Sequence, residues 1–117
     1  MKVPNGKISY FEIPSGDIDQ SSSFYKNVFG WKIRTRPDGT VAFDDVEGGA
    51  SGSWIINAEP HVEKGFKMYI MVDSLAETMR SILDNGGRIV EPISGNSPEI
   101  TAMFSDPYGN IFGIGQE

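Results

Sequence analysis

The chain has 117 residues, and its 16 acidic and 10 basic side chains give a net charge of −6, while cysteine is absent. This length is enough for one domain that folds without disulfides, and the lack of thiols excludes thiolate metal centres, iron–sulfur clusters and thiol catalysis. The acidic balance disfavours nucleic acid and anionic membranes as partners, whereas a neutral or cationic ligand is easier to accommodate.

The first predicted elements are a strand over residues 8–13 and a helix over residues 18–29. Asp17 precedes the helix as a candidate N-cap, and Gln20 follows it at capping-box spacing. Gly30 stands where a helix commonly ends in a left-handed conformation. This stretch therefore predicts a strand, a turn and an amphipathic helix.

Three further strands complete the first half of the chain. A Pro-Asp-Gly turn at residues 37–39 predicts a hairpin between strands that begin near residue 31 and residue 40. A fourth strand is predicted over 52–57, followed by a polar linker over 58–65. The predicted order of the first half is β-α-β-β-β.

The second half repeats this order. A strand over 66–72 leads to Ser74 and Glu77, which have the spacing of a capping box, and then to a second helix that ends near residue 85. This helix is predicted to carry Leu75, Met79, Ile82 and Leu83 on one face. The remaining strands are predicted near 88–93, 99–105 and 110–115, with turns at 94–98 and 106–110.

The two halves align with one constant offset of 56 residues. The pairs that share this offset are Asp17 with Asp73, Gly30 with Gly86, and Ile33 with Ile89. Agreement at three places across a helix indicates an internal duplication. The predicted fold class is therefore α+β, built from two tandem β-α-β-β-β modules.

Four segments of the chain resemble the glyoxalase, bleomycin-resistance and extradiol-dioxygenase superfamily, also called vicinal oxygen chelate proteins. They are F-E-I-P (11–14), F-Y-K-N-V-F-G-W-K (24–32), G-G-R-I-V-E-P (86–92) and S-D-P-Y-G-N-I-F-G-I (105–114). The resemblance is greatest to the branch described as predicted enzymes related to lactoylglutathione lyase. It implies a single domain over 1–117, with modules 7–57 and 66–116 whose curved mixed sheets enclose a cleft, commonly completed in a homodimer.

The resemblance also implies where a metal ion would be held, because enzymes of this family bind a divalent metal through His or Glu on the first and last strand of each module. Those positions fall at Tyr10, Lys67 and Gly113, with the fourth within 52–56, where neither an acid nor a histidine occurs. None of these is a suitable ligand for a borderline divalent ion. We therefore predict no metal and no other cofactor.

A ligand-binding cleft is the predicted functional site. Strand alternation places Tyr10 and Glu12 on one face of the first strand. The residues predicted to line the cleft are Tyr10, Glu12, Trp54, Lys67, Tyr69, Met71 and Gly113. Two alternatives remain open: Glu12 pairs with Lys67 or another base, or Trp54 and Tyr69 serve core or dimer-interface packing. His61, the one histidine, is predicted to be a linker residue without a catalytic role.

Three functions are compatible with this sequence. The first is metal-independent binding of a small organic molecule, in the manner of the bleomycin-resistance proteins. The second is a glyoxalase-like lyase or isomerase that acts on a small carbonyl compound through Glu12, Tyr10 and Lys67. The third is a dimeric interaction module. Because no apolar run is long enough for a membrane span or a signal peptide, we expect a soluble, cytoplasmic protein.

Overall fold

The computed structural model describes residues 5–47, 49–62, 65–96 and 99–116. These residues form two helices and eight strands in two four-stranded sheets, which confirms the predicted α+β fold with two modules. The elements are β1 (Tyr10–Pro14), α1 (Ile18–Phe29), β2 (Lys32–Thr35), β3 (Val41–Asp44), β4 (Ser51–Ile55), β5 (Tyr69–Met71), α2 (Leu75–Asp84), β6 (Arg88–Asn96), β7 (Glu99–Ser105) and β8 (Ile111–Gln116).

The strand order is the same in both sheets, as expected for two modules that arose by internal duplication. Sheet 1 has the order β1-β4-β3-β2 and sheet 2 the order β5-β8-β7-β6. In each sheet the first strand of the module pairs in parallel with the fourth, and the other pairs are antiparallel. The short strands β1 and β5 therefore both lie at a sheet edge.

Both helices begin and end largely as the sequence predicts. The Asp17 carboxylate accepts the backbone N–H of Gln20 at 3.1 Å, and the Ser74 hydroxyl accepts that of Glu77 at 3.2 Å. Gly30 ends α1 with φ at 75°, a value that glycine adopts without a steric cost. Leu83 lies at the edge of the predicted apolar face of α2, and its side chain is 57% exposed. The buried stripe of α2 runs through positions 75 and 82, so the residue after 82 points about 100° away from it.

One face of sheet 1 is apolar and the other is mainly polar. The cross-strand register brings together an apolar row on the helix-covered face, consisting of Ile33, Phe43, Gly52 and Phe11. The opposite face, called here the open face, carries two polar rows: Lys32, Asp44, Ser51 and Tyr10 in one, and Arg34, Ala42, Ser53 and Glu12 in the other. This is the side-chain alternation expected of a sheet with one face on the core.

The two modules share a hydrophobic core and are also joined by hydrogen bonds. The ring of Phe24 stacks on Phe104 at 6.1 Å between centroids. Beside this contact, Tyr25 donates its O–H to Asp106 Oδ2 at 2.8 Å, and both residues are buried. Asn110 donates its side-chain N–H to the carbonyl of Pro14 at 2.7 Å. The predicted turn at 106–110 therefore attaches the second module to the first.

The strands of the second module differ in length from the prediction. The strand predicted over 66–72 is reduced to β5 at Tyr69–Met71, although Gly113 still donates its N–H to the carbonyl of Met68 at 2.8 Å. Strand β6 continues to Asn96 instead of ending at 93, with register shifts around Pro92, which has no N–H to donate. The predicted linker and turn also include residues 63, 64, 97 and 98, which lie outside the described residues.

Candidate functional site

A groove of about 680 Å³ separates the two modules on the side of the edge strands β1 and β5. Its floor is apolar because it is formed by side chains that continue the core outward, including Phe11, Ile13, Phe29, Met68, Ile70 and Val72. All of these except Ile13, which is buried, remain partly accessible. Strands β1 and β5 are edge strands, and in the described residues neither has a neighbouring strand on its outer side. We refer to this cavity as the inter-module groove.

The rim of the inter-module groove is acidic. Asp45, Asp73 and Glu77 line it, and its described lining contains no Lys or Arg. Asp45 Oδ1 already accepts the N–H of Ala50 at 2.8 Å, which holds the β3–β4 loop against the rim. Three carboxylates around an apolar floor favour a ligand with an apolar body and a positive charge.

Two residues predicted from the sequence, Tyr69 and Met71, line this groove from strand β5. Both are partly exposed, and Met71 remains 57% accessible. The same two side chains also border a second, smaller pocket of about 410 Å³ on the open side of sheet 2. That pocket is completed by Thr101, Gly115 and Gln116 and by the end of the β6–β7 hairpin. Strand β5 therefore presents side chains to both cavities.

Gly113, also a predicted site residue, lies beneath Tyr69. The two residues are paired across β5 and β8, and a Cβ atom on Gly113 would overlap the tyrosine ring. In sheet 1 the equivalent cross-strand pair is Glu12 with Ser53. The register thus identifies Ser53 as the counterpart of Gly113, a position that the sequence alone placed only within 52–56.

The residues at the family's four metal positions do not fit a divalent metal ion. They supply a phenol (Tyr10), a hydroxyl (Ser53), an amine (Lys67) and no side chain at all (Gly113). A borderline divalent ion requires several imidazole or carboxylate ligands that converge on it. Within the described ranges, no group of three or more His, Asp or Glu side chains is arranged to hold one.

Tyr10 is part of a polar cluster on the open face of sheet 1. Its phenol oxygen accepts an N–H from Arg36 at 2.5 Å and donates to Ser53 Oγ at 3.2 Å. Hydrogen bonding with Ser53, followed by that with Arg36, lowers the pKa of the Tyr10 phenol from its ordinary value of 10.0, whereas the nearby charge of Glu12 opposes this effect. The guanidinium carbon of Arg36 also lies 5.5 Å from the centre of the Tyr10 ring.

Arg36 was missed from the sequence, although the pattern of β2 contains a signal for it. Lys32, Arg34 and Arg36 alternate along one strand and its extension, so they share a face. Which face this is becomes clear only from the register of β2 with β3, because a shift of one residue would turn all three toward the core.

The other predicted site residues lie elsewhere. Trp54 is only 4% exposed and packs between Tyr25 and Phe43 in the core, on the opposite side of β4 from Ser53. Its indole N–H has no hydrogen-bond partner among the described residues. Lys67 is exposed and precedes β5 instead of lying within it. The structure therefore groups Tyr10 with Glu12, and Tyr69 with Met71 and Gly113, but does not join Trp54 to either group.

His61 makes structural contacts in the segment between the modules. Its backbone N–H donates to Asn110 Oδ1 at 2.7 Å, and its carbonyl accepts the N–H of Ile111 at the same distance. The imidazole stacks on Phe112 at 5.4 Å between centroids. These contacts tie the linker to the start of β8.

Two β-α-β-β-β modules around a shared core, with a groove between them, define the glyoxalase-like class of α+β proteins. The chain belongs to the Glyoxalase/Bleomycin resistance protein/Dioxygenase superfamily, whose family model matches residues 7–114. It is 31% identical to a "Glyoxylase-like domain-containing protein" from Didymella fabae, over 96% of this chain and 94% of that protein.

Solved structures show the same fold. A glyoxalase/bleomycin resistance protein/dioxygenase family enzyme from Burkholderia phytofirmans PsJN superposes with a TM-score of 0.74 at 19% identity, over 94% of this chain and 98% of that one. A mutant of glyoxalase I from Zea mays superposes with a TM-score of 0.73 at 19% identity, over 95% of this chain and 45% of that one. Neither helix in the described part of the chain is long and apolar enough to cross a membrane.

Proposed function

We propose that this protein binds a small organic cation with an apolar body in the inter-module groove, without a metal ion. The observation that carries the proposal is the combination of an apolar floor and an acidic rim in one cavity of about 680 Å³. This volume lies within the range of about 300–1,000 Å³ that is typical of small-molecule sites. Tyr69 and Met71 border the groove from strand β5, and an aromatic ring and a polarisable thioether at this border suit a flat apolar ligand.

The apolar floor is expected to supply most of the affinity, and the rim most of the charge selectivity. Burial of apolar ligand surface contributes about 25 cal/mol per Å². Each partly exposed carboxylate adds only about 0.2–1 kcal/mol, and salt screens this contribution. Three such carboxylates add about 0.6–3 kcal/mol, so the preference for a cation over a neutral ligand should lie between about threefold and about a hundredfold and should decrease as ionic strength rises.

A matched pair of probes tests this proposal. 1-Naphthylmethylammonium and 1-naphthylmethanol share an apolar body but differ in charge. In isothermal titration calorimetry at low ionic strength, the cation should bind more tightly, and the difference should largely disappear in about 0.5 M salt. Equal affinity at low salt, or no saturable binding of either probe, would overturn the proposal.

Two variants of helix α2 locate the binding site. Thr78 lines the groove, whereas Ala76 is exposed on the same helix and does not line it. Thr78→Phe should fill part of the cavity and weaken binding of the cation about tenfold or more. Ala76→Phe introduces the same ring at the matched position and should leave binding unchanged. Equal affinities in the two variants would contradict a site in the groove.

Metal independence is supported by the donor chemistry at the four family positions, of which Gly113 and Lys67 are the clearest cases. Elemental analysis of the purified protein should show no stoichiometric Ni, Zn, Fe or Mn, and treatment with a chelator should leave binding of the cationic probe intact. A stoichiometric metal, together with a loss of probe binding when the metal is removed, would overturn the proposal that binding is independent of metal.

We also propose that the protein is a cytoplasmic homodimer. The absence of cysteine fits a reducing compartment.

Dimerisation is supported by the uncovered edge strands and by apolar side chains exposed nearby, such as Phe66 and Met71. Sedimentation equilibrium should show two chains per particle. Met71→Lys should shift the equilibrium toward monomer, whereas Leu83→Lys, at an equally exposed position of α2, should not. A monomeric wild type would contradict the homodimer. It would also contradict a function as a dimeric interaction module.

A lyase or isomerase acting on a small carbonyl compound is a second candidate function. The observation in its favour is the lowered pKa of the Tyr10 phenol, because a perturbed proton donor near a carboxylate is common where protons are transferred. Glu12→Gln should then abolish turnover and preserve substrate binding. If the wild type turns over no aldehyde or hemithioacetal of a substrate panel, ligand binding remains the better description.

A further inference from the structure

The open face of sheet 1 carries a cluster of positive charge in an otherwise acidic protein. Lys32, Arg34 and Arg36 project from β2 and its extension. Arg34 forms a bidentate contact with Asp44, with N–O distances of 2.8 and 3.2 Å, so its charge is already compensated. Among the described residues, the hydrogen-bonding partner of Arg36 is instead the neutral phenol of Tyr10. Among the described residues Arg36 therefore forms no salt bridge, although its charge acts on the nearby Asp38 carboxyl and lowers the pKa of that group.

The groups around Arg36 supply hydrogen-bond donors to the same point. Tyr10 is 46% exposed, and its O–H is engaged only in a long contact of 3.2 Å with Ser53. That hydrogen bond is easily exchanged for a shorter one to an anionic acceptor, which would be stronger because it is charge-assisted. A planar guanidinium next to a phenol O–H suits an acceptor with two coplanar oxygens.

The charges on the face determine which anion fits. Glu12 lies on the same polar row as Ser53. Its negative charge repels any further negative charge near Tyr10, including that of an anionic ligand. A dianionic phosphate would experience this repulsion twice over, whereas a carboxylate brings one negative charge to the Arg36 guanidinium, which forms no salt bridge among the described residues. Carboxylate geometry also matches the bidentate edge of arginine.

We propose that Arg36 and Tyr10 form a binding site for the carboxylate group of a small organic acid on the open face of sheet 1. Arg36 supplies the charge, Tyr10 donates its phenolic proton, and Ser53 holds the phenol in place when no ligand is bound. This site is separate from the inter-module groove, because Tyr10 projects from the face of β1 opposite to Phe11 and Ile13, which line the groove. The acidic rim of the groove repels carboxylates, so the two sites differ in the sign of charge they accept.

Benzoate and its neutral analogue benzamide test the site. In ¹H–¹⁵N correlation spectra recorded at constant ionic strength, benzoate should cause saturable shifts around Tyr10, Arg36 and Ser53, and benzamide should not. Arg36→Gln should weaken benzoate binding by at least about tenfold, as expected for loss of a charged partner. Tyr10→Phe should weaken it about two- to tenfold, and Glu12→Gln should strengthen it.

Control variants and a second measurement keep the test decisive. Arg80→Gln removes an exposed arginine from α2 and should leave benzoate binding unchanged. In Arg36→Gln, ultraviolet titration should also show a rise in the pKa of the Tyr10 phenol, which reports on this contact even without a ligand. Benzoate should not displace 1-naphthylmethylammonium, so failure at one site can be distinguished from failure at the other. Equal effects of benzoate and benzamide, or wild-type affinity in a folded Arg36→Gln variant, would overturn the proposal.

Discussion

The ring of Tyr69 covers the backbone of Gly113 so closely that a methyl group added to Gly113 would overlap Cδ2 of the ring and lie 2.5 Å from Cε2. The two residues are directly paired between β5 and β8. Since Gly113 occupies the place where the family's metalloenzymes carry a glutamate, the tyrosine ring fills the space in which that side chain would begin. A glutamate at this position therefore requires the Tyr69 side chain to move away from Gly113.

Gly113→Ala should destabilise the protein by about 1–3 kcal/mol, as is common when a closely packed contact is overfilled. The free energy of unfolding from urea titrations measures this effect. Gly115→Ala is the matched control, because its added methyl group meets the flexible thioether of Met71 at 3.2 Å and should cost less. Removal of the ring in the double variant Tyr69→Ala/Gly113→Ala should relieve the strain and give a coupling energy of about 0.5–3 kcal/mol. Strictly additive effects would contradict the contact.

Tyr25→Phe should cost about 1.5–3 kcal/mol of stability, because it removes a buried hydrogen bond to the Asp106 carboxylate. The effect should depend on pH. Burial, reinforced by the charge of Asp106, raises the pKa of Tyr25 well above 10.0, so the unfolded chain loses this proton first as pH rises.

Above pH 10 this single group should therefore lower the stability of the wild type by about 1.4 kcal/mol per pH unit, until the raised pKa is reached. The Tyr25→Phe variant lacks this loss, so the stability difference between the two proteins should shrink in alkaline solution. Urea titrations from pH 8 to 11.5 measure it. A difference that stays constant across this range would contradict the burial of the phenol in the folded state.

Arg34→Gln should raise the pKa of Asp44 toward its ordinary value of 3.8. Hydrogen bonds from Arg34, followed by that from Ser51, hold the pKa of this carboxyl below that value. The contribution of Asp44 to stability is therefore present above pH 3.8 and is lost as pH falls through the lowered pKa. Carbon-13 NMR of the Asp44 carboxyl group measures the shift, and Arg80→Gln should leave it unmoved. An unchanged titration in Arg34→Gln would show that the pair does not persist in solution.

Ser74→Ala should reduce stability by about 1 kcal/mol, because it leaves the N–H of Glu77 without its cap at the start of α2. Ser74→Asp retains a capping oxygen and should restore most of the loss. Thermal unfolding followed by circular dichroism is sufficient to rank the three proteins. Ser94→Ala, at an exposed position of β6, should be nearly neutral. Equal stabilities of Ser74→Ala and Ser74→Asp would contradict a capping role.

Local patterns predicted most of the fold because each depends on few neighbours. Asp17 and Gly30 mark the ends of α1 through contacts within one turn of helix. The burial of Phe24 and Tyr25 follows from helical periodicity alone. The duplicated order of strands could likewise be inferred, since it repeats along the chain.

The site was predicted less well because it depends on register and on the packing of one module against the other. Trp54 and Ser53 are adjacent, and only the pairing of β4 with β1 and β3 decides that the hydroxyl faces outward and the indole inward. The inter-module groove is lined by both edge strands β1 and β5, whose groove-lining residues Ile13 and Ile70 are 57 positions apart in the sequence. The contact between Arg36 and Tyr10 also joins elements that no local pattern connects.

The division of sheet 1 into a core-facing side and a charged side has a practical consequence for protein engineering. Side chains such as Glu12 and Lys32 can be exchanged without touching the packed interior, since surface substitutions of this kind usually change stability by no more than about 0.5 kcal/mol. Charge and shape on that surface are then adjustable parameters on a fixed scaffold. New recognition properties can therefore be selected from libraries limited to these strands, with folding largely preserved in every member.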